Sequence, residues 1–167
     1  MTRPVLALVL ALLAPAHGAF AACYGWGDRP RAERFELRGG EALDRKSGLL
    51  WQRCSLGAHW DGKACAGEKS WLTLEAAQEA AKAVGHGWHV PSGPELETIV
   101  DPDCGQPVVD TAVFPDIELG DDGAAGYWTT SPVGVLGLIY YFDFMTGMAD
   151  GHSTGLPQAV RLVKTAP

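Results

Sequence analysis

Apolar and polar residues alternate in short bursts from Arg34 to Arg53. "RFEL" alternates, Gly39-Gly40 turns the chain, "EALD" follows, "RKSG" turns it again, and "LLWQRC" runs on to Cys54. Short alternating runs bounded by turn residues predict strands. From Thr73 the period changes. Leu74, Ala77, Ala81 and Val84 form one apolar stripe in "TLEAAQEAAKAVG", which predicts a helix capped by Thr73 and stopped by Gly85. "SGPELETIVD" predicts a second, shorter helix. Ser92 and Glu95 have capping-box spacing, Pro94 suits a first turn, and Leu96, Ile99 and Val100 point inward.

Past Asp101 the pattern dissolves. Pro102 to Gly126 is long, acidic and rich in turn residues, and predicts an irregular lobe. Such loops in a compact domain are functional or are held by a crosslink. Three strand-like stretches, "GYWTTS", "LIYYFDFMTG" and "QAVRLVK", finish the chain, with no internal repeat and no low-complexity tail. Two helices between two strand groups make an α+β domain. Its two ends are expected to meet in one small antiparallel sheet backed by the helices.

The N-terminus changes the picture of where this domain works. Arg3, the apolar run Val5 to Ala14, and "AFA" at Ala19 to Ala21 read as a signal peptide over residues 1–21. The expected organisation is then an N-terminal segment over 22–33 and one domain over 34–165, in a periplasmic or secreted protein. The alternative is a lipid anchor on Cys23, since "AFAAC" loosely resembles a lipobox with Phe20 in place of the usual Leu. No further apolar run is long enough to cross a membrane.

Removing residues 1–21 takes away Arg3 and no acid, so the formal net charge moves from -7 to -8. That sign argues against nucleic acid as a partner. The basic residues of "DRPRAERFELR" are interleaved with acids and read as a solvated mixed-charge segment. Four cysteines in an exported chain favour two disulfides, with three possible pairings. Cys54 and Cys65 flank a polar loop that folds back on itself, which leaves Cys23 with Cys104. Zinc is the alternative use, but there is no C-x-x-C pair and no nearby histidine spacing to match.

Candidate chemistry is sparse. Trp51, Trp88 and Trp128 lie in or beside strands and read as core. Trp26, Trp60 and Trp71 lie in loops or at a helix start, and are the candidates for stacking on a sugar. "DIELGDD" supplies Asp116, Glu118, Asp121 and Asp122, oxygen ligands that calcium could use; a solvated acidic loop is the default reading. No G-x-S-x-G elbow or other activated nucleophile accompanies His59, His86, His89 or His152. Asp143, between Phe142 and Phe144, is expected to pair with Arg161. The apolar "VGVLGLI", Val133 to Ile139, is a candidate protein contact.

The order of motifs resembles the Lcl C-terminal domain family, named for a legionella collagen-like adhesin. The resemblance rests on Gly48-Leu49-Leu50-Trp51, then Gly87-Trp88-His89-Val90-Pro91 with Glu95-Leu96, and Phe114-Pro115. Tyr127-Trp128, Phe142-Asp143-Phe144 with Gly147, and Val160-Arg161-Leu162-Val163 complete it. The resemblance implies a fold similar to C-type lectins and an extracytoplasmic binding or adhesion role. The founding member's domain is associated with sulfated-glycosaminoglycan binding and trimerisation, but the acidic balance of this chain is wrong for a sulfated polyanion. Two departures bear on this. His89 stands where the family usually has Arg, so that arginine's ion pair is expected to be missing. Gln106-Pro107-Val108 lacks the acid of a calcium-dependent sugar site.

The sequence therefore reads as an exported, non-enzymatic binding or adhesion module that recognises a glycan or an envelope protein. It calls for no cofactor and leaves room for a homo-oligomer. The alternatives are a structural or assembly subunit and, behind it, a hydrolase built on His89 or His152.

Overall fold

The computed structural model describes Cys23 and residues 31–120, 123–134 and 137–167. Residues 1–21, expected to be a signal peptide, and Trp26, Asp121, Asp122, Val135 and Leu136 lie outside the described residues. The fold is a mixed α/β domain with antiparallel sheets and few helices.

A short helical turn, α1 (Arg31–Arg34), leads into β1 (Phe35–Arg38), β2 (Glu41–Asp44) and β3 (Leu49–Gln52). A two-stranded ribbon follows, β4 (His59–Trp60) and β5 (Cys65–Ala66). Two helices come next, α2 (Leu74–Val84) and α3 (Gly93–Glu97). Thr73 accepts from the Ala76 amide and caps α2 as its sequence predicts. The Ser92–Glu95 capping box of α3 is complete in both directions. Val84 departs from the expected stripe: it sits on the last turn of α2 and is exposed.

The C-terminal part holds β6 (Gly126–Pro132), β7 (Leu138–Asp143), β8 (Met148–Ser153) and β9 (Val163–Thr165). As expected, the two ends of the chain meet, because β9 pairs antiparallel with β3 in the sheet β1-β2-β3-β9. The expected single sheet is corrected in one respect. β6, β7 and β8 form their own three-stranded sheet. "LIYYFDFMTG" is not one strand, because Asp143 to Gly147 is a tight turn and the polar "MADGHS" returns as β8.

That turn repeats a device used earlier. In "DRKSG" the Asp44 carboxylate accepts from the Lys46 amide (3.0 Å) and the Ser47 hydroxyl (2.9 Å). In "DFMTG" the Asp143 carboxylate accepts from the Met145 amide (3.0 Å) and the Thr146 hydroxyl (2.8 Å). Gly48 and Gly147 close the turns at φ 72° and 76°, each donating to the carbonyl of its aspartate at 2.8 Å. Both aspartates thus act as turn formers, holding a left-handed position that favours glycine.

Two apolar clusters make the core. Leu50 of β3 faces one with Leu74, Ala77, Ala81, Trp88, Val90, Trp128, Val160 and Leu162. Its neighbour Trp51 faces the other with Phe35, Leu96, Ile99, Phe114, Tyr127 and Phe144. Alternation along a strand sends neighbours to opposite faces, so β3 is a central strand covered on both. The irregular lobe supplies much of the second cluster: Val108, Val109, Val113, Phe114 and Ile117 are all buried. Two disulfides, Cys23–Cys104 and Cys54–Cys65, staple the lobe and the loop after β3, in the expected pairing. The Cys23 sulfur is spent in its bridge, which leaves it no thiol for a thioether lipid.

Candidate functional site

The residues that carry the sequence resemblance build architecture. Trp51 and Trp128 are fully buried and Trp88 nearly so. The Trp128 indole N–H donates to the Leu72 carbonyl at 2.7 Å, and the Pro91 carbonyl accepts from the Thr130 amide at 2.8 Å. Lys164 lies over the Trp88 ring at 4.3 Å.

Arg161 sits at the centre of a buried polar network. Its guanidinium donates to the carbonyls of Gln52 and Arg53, to the Ser55 hydroxyl, and to the Asp116 carboxylate. Tyr127 joins through its hydroxyl, 2.7 Å from that of Ser55. This corrects the expected Asp143–Arg161 pair. The Asp143 carboxylate is used by its own turn and by the Ala125 amide, and the lobe brings Asp116 to the arginine instead. Burial alone would favour the neutral acid at Asp116. The Arg161 charge and the Ser55 amide outweigh it and hold the carboxyl below its usual range.

Two other arginines are spent internally. Arg34, expected in a solvated segment, is buried between Asp44 and Asp101 and donates to the Thr98 carbonyl. Arg53 donates to the carbonyls of Gly39, Ala112 and Val113, and its guanidinium stacks on Trp60 at 3.6 Å. One face of Trp60 is therefore taken, which weakens it as a sugar platform.

At His89, where the family's usual arginine is absent, the imidazole makes hydrogen-bond contacts of its own. The His89 ring reaches the Glu95 carboxylate at 3.1 Å and the Gly87 carbonyl at 3.0 Å. Burial pushes the Glu95 carboxyl up, but the Ser92 amide and hydroxyl and the His89 ring prevail and lower it. His152 lies between the rings of Trp128 (5.8 Å) and Tyr141 (5.1 Å).

One concave site borders the Arg161 network through Asp116. A cleft of about 350 Å³ is lined by Ala58, Cys65 and Gly67 with Glu68, Lys69, Trp71, Asp116 and Glu118. One wall is the Cys54–Cys65 loop and the chain leading to α2; the other is the lobe. Close packing fixes the first wall. The Ser70 amide donates to the Leu56 carbonyl at 2.7 Å, and a Cβ on Gly57 would stand 2.7 Å from the Glu68 carbonyl oxygen. Lys69 Nζ crosses the cleft to donate to the Glu118 carbonyl at 3.2 Å and lies 5.3 Å from the Trp71 ring centre. Burial pushes the Lys69 ammonium below the usual lysine range, with Glu118 and Asp116 opposing. Trp71 is 42% exposed.

The structure thus brings together Trp71, Asp116 and Glu118, which the sequence raised for different reasons. Lys69 and Glu68 were not singled out in the sequence, although "GEKSW" places both beside Trp71. Asp116, raised as a calcium ligand, is engaged by Arg161. Among the described residues, no group of three or more His, Cys, Asp or Glu could hold a metal ion. Among the same residues, no helix is long and apolar enough to cross a membrane.

A profile described as the Lcl C-terminal domain matches residues 40–164. The chain belongs to the Lcl C-terminal domain family. No curated protein matches it.

Proposed function

We propose that the chain is an exported, non-enzymatic binding module whose ligand is a glycan held in the cleft between Trp71 and Asp116. The observation that carries this reading is the cleft's composition. An exposed indole, a carboxylate fixed by Arg161 and a lysine ammonium line one small concavity. Small-ligand sites combine an apolar wall with a few placed polar groups, and about 350 Å³ falls at the lower end of their usual range of roughly 300–1,000 Å³. A C-type lectin-like fold fits the same picture: chain ends paired in one sheet, two helices, and a long irregular lobe bearing the site.

A non-enzymatic role is supported by the state of the histidines. His89 is held by Glu95 and Gly87, and His152 lies against aromatic rings. Among the described residues, neither is hydrogen-bonded to a nucleophile, as acid–base activation of one requires. Periplasmic or secreted placement is supported by the two disulfides.

A protein partner is the second reading. It is favoured by β8, an edge strand whose Met148 is 67% exposed. The test is a glycan-array screen of the oxidised domain, with calcium and again with chelator. Hits that persist in chelator and vanish with Trp71→Ala support the cleft reading. No hit in either condition, with capture of an envelope protein by the same immobilised domain, supports the second.

A further inference from the structure

The cleft carries more acid than base. Glu68, Asp116 and Glu118 line it with Lys69, and Arg161 stands behind Asp116, so three acids meet two bases. Lys69 already donates to the Glu118 main chain and is drawn towards the Trp71 ring, so its ammonium is a partly used donor. Asp116 accepts from the Ser55 amide on one carboxylate oxygen and from Arg161 on the other. A carboxylate offers about four acceptor positions, so a fixed acid in this setting still has capacity for hydroxyl donors. A sulfate or uronate entering here would meet a lining with an excess of acidic residues, on a chain whose formal net charge is -7.

We propose that the cleft takes a neutral, hydroxyl-rich saccharide and turns away polyanionic glycans, with Asp116 accepting from sugar hydroxyls and Trp71 covering the apolar face of a pyranose ring. This rests on the glycan reading above and fixes the charge class of the ligand. Specificity here comes from repulsion as well as attraction: the carboxylates that accept from hydroxyls are the groups that oppose an anion.

The test is calorimetric titration of the oxidised domain with cellohexaose, xylohexaose and chitohexaose as neutral probes, and with polygalacturonate and heparin as polyanions. Each is run at about 0.01 M and about 1 M salt, where screening lengths are about 30 and 3 Å. The expected result is binding of at least one neutral hexasaccharide, changed by less than about twofold between the two salts, with no polyanion binding. Trp71→Ala weakens that binding about tenfold or more, and Leu37→Ala, at an exposed position on β1, leaves it unchanged. Polyanion binding without neutral binding would overturn the charge class and keep the glycan reading. Binding of neither class would overturn both.

Discussion

Arg161 and Asp116 form an ion pair across 45 residues of sequence, the arginine side chain wholly buried and the aspartate 13% exposed at the cleft. The pair joins the family-signature segment just before β9 to the irregular lobe. It also ties the cleft to the core, since one Asp116 oxygen is held by the same guanidinium that Ser55 and two backbone carbonyls surround.

Asp116→Ala is expected to destabilise the domain by about 3–5 kcal/mol, because it leaves a buried guanidinium charge uncompensated. Asp143→Ala loses turn hydrogen bonds and is expected to cost about 1–2 kcal/mol. Urea unfolding of the two variants checks the order. Equal losses would contradict the assignment of Arg161 to Asp116.

The pH dependence follows from the same groups. Asp116 and Glu95 both titrate below their ordinary values when folded. A lowered folded-state value means stability that is fully present above the unfolded value of about 4 and is lost as pH falls below it. Tyr127 acts at the other end. Burial raises its phenol, so folding loses stability as pH rises past the unfolded value of about 10. Melting curves from pH 2 to 11 are expected to give a plateau with two falling limbs, and Asp116→Asn should flatten the acid limb.

Gly48→Ala and Gly147→Ala are each expected to cost about 1 kcal/mol or more, since both close their turns at positive φ. Thermal melts of the two variants check this. Matching losses are predicted, because the two turns share their hydrogen-bond pattern.

Much of this fold was legible locally. The Thr73 cap, the Ser92–Glu95 box and the short strands before Cys54 depend on near neighbours in sequence, so spacing and polarity reveal them. The Cys54–Cys65 staple was readable from its short polar loop. What escaped was decided by distant packing. Arg161 had two acids to choose from, and only the course of the lobe brings Asp116 rather than Asp143 to it. The lobe is irregular and held by a crosslink as expected, but its share of the core escaped because Val108, Val113, Phe114 and Ile117 reach it without a regular period. β8 was missed because "MADGHS" shows no apolar alternation; backbone pairing to β7 sustains it. The cleft joins residues 58–71 to residues 116–118, and no local pattern announces such a meeting.

Cys54→Ser with Cys65→Ser is expected to cost about 3 kcal/mol through the lost loop closure. It should also weaken ligand binding while the fold persists, because Ala58, Cys65 and Gly67 belong to one cleft wall. Unfolding midpoints and titration of the same variant separate the two effects.

The most direct test of the binding-site assignment is a ¹H–¹⁵N spectrum of the oxidised domain, titrated with a glycan that binds it. The account predicts that the Trp71 indole N–H and the backbone amides of Lys69, Trp71 and Glu118 shift first and saturate together. Shifts confined to Met148–Ser153, with Trp71 unmoved, would contradict it.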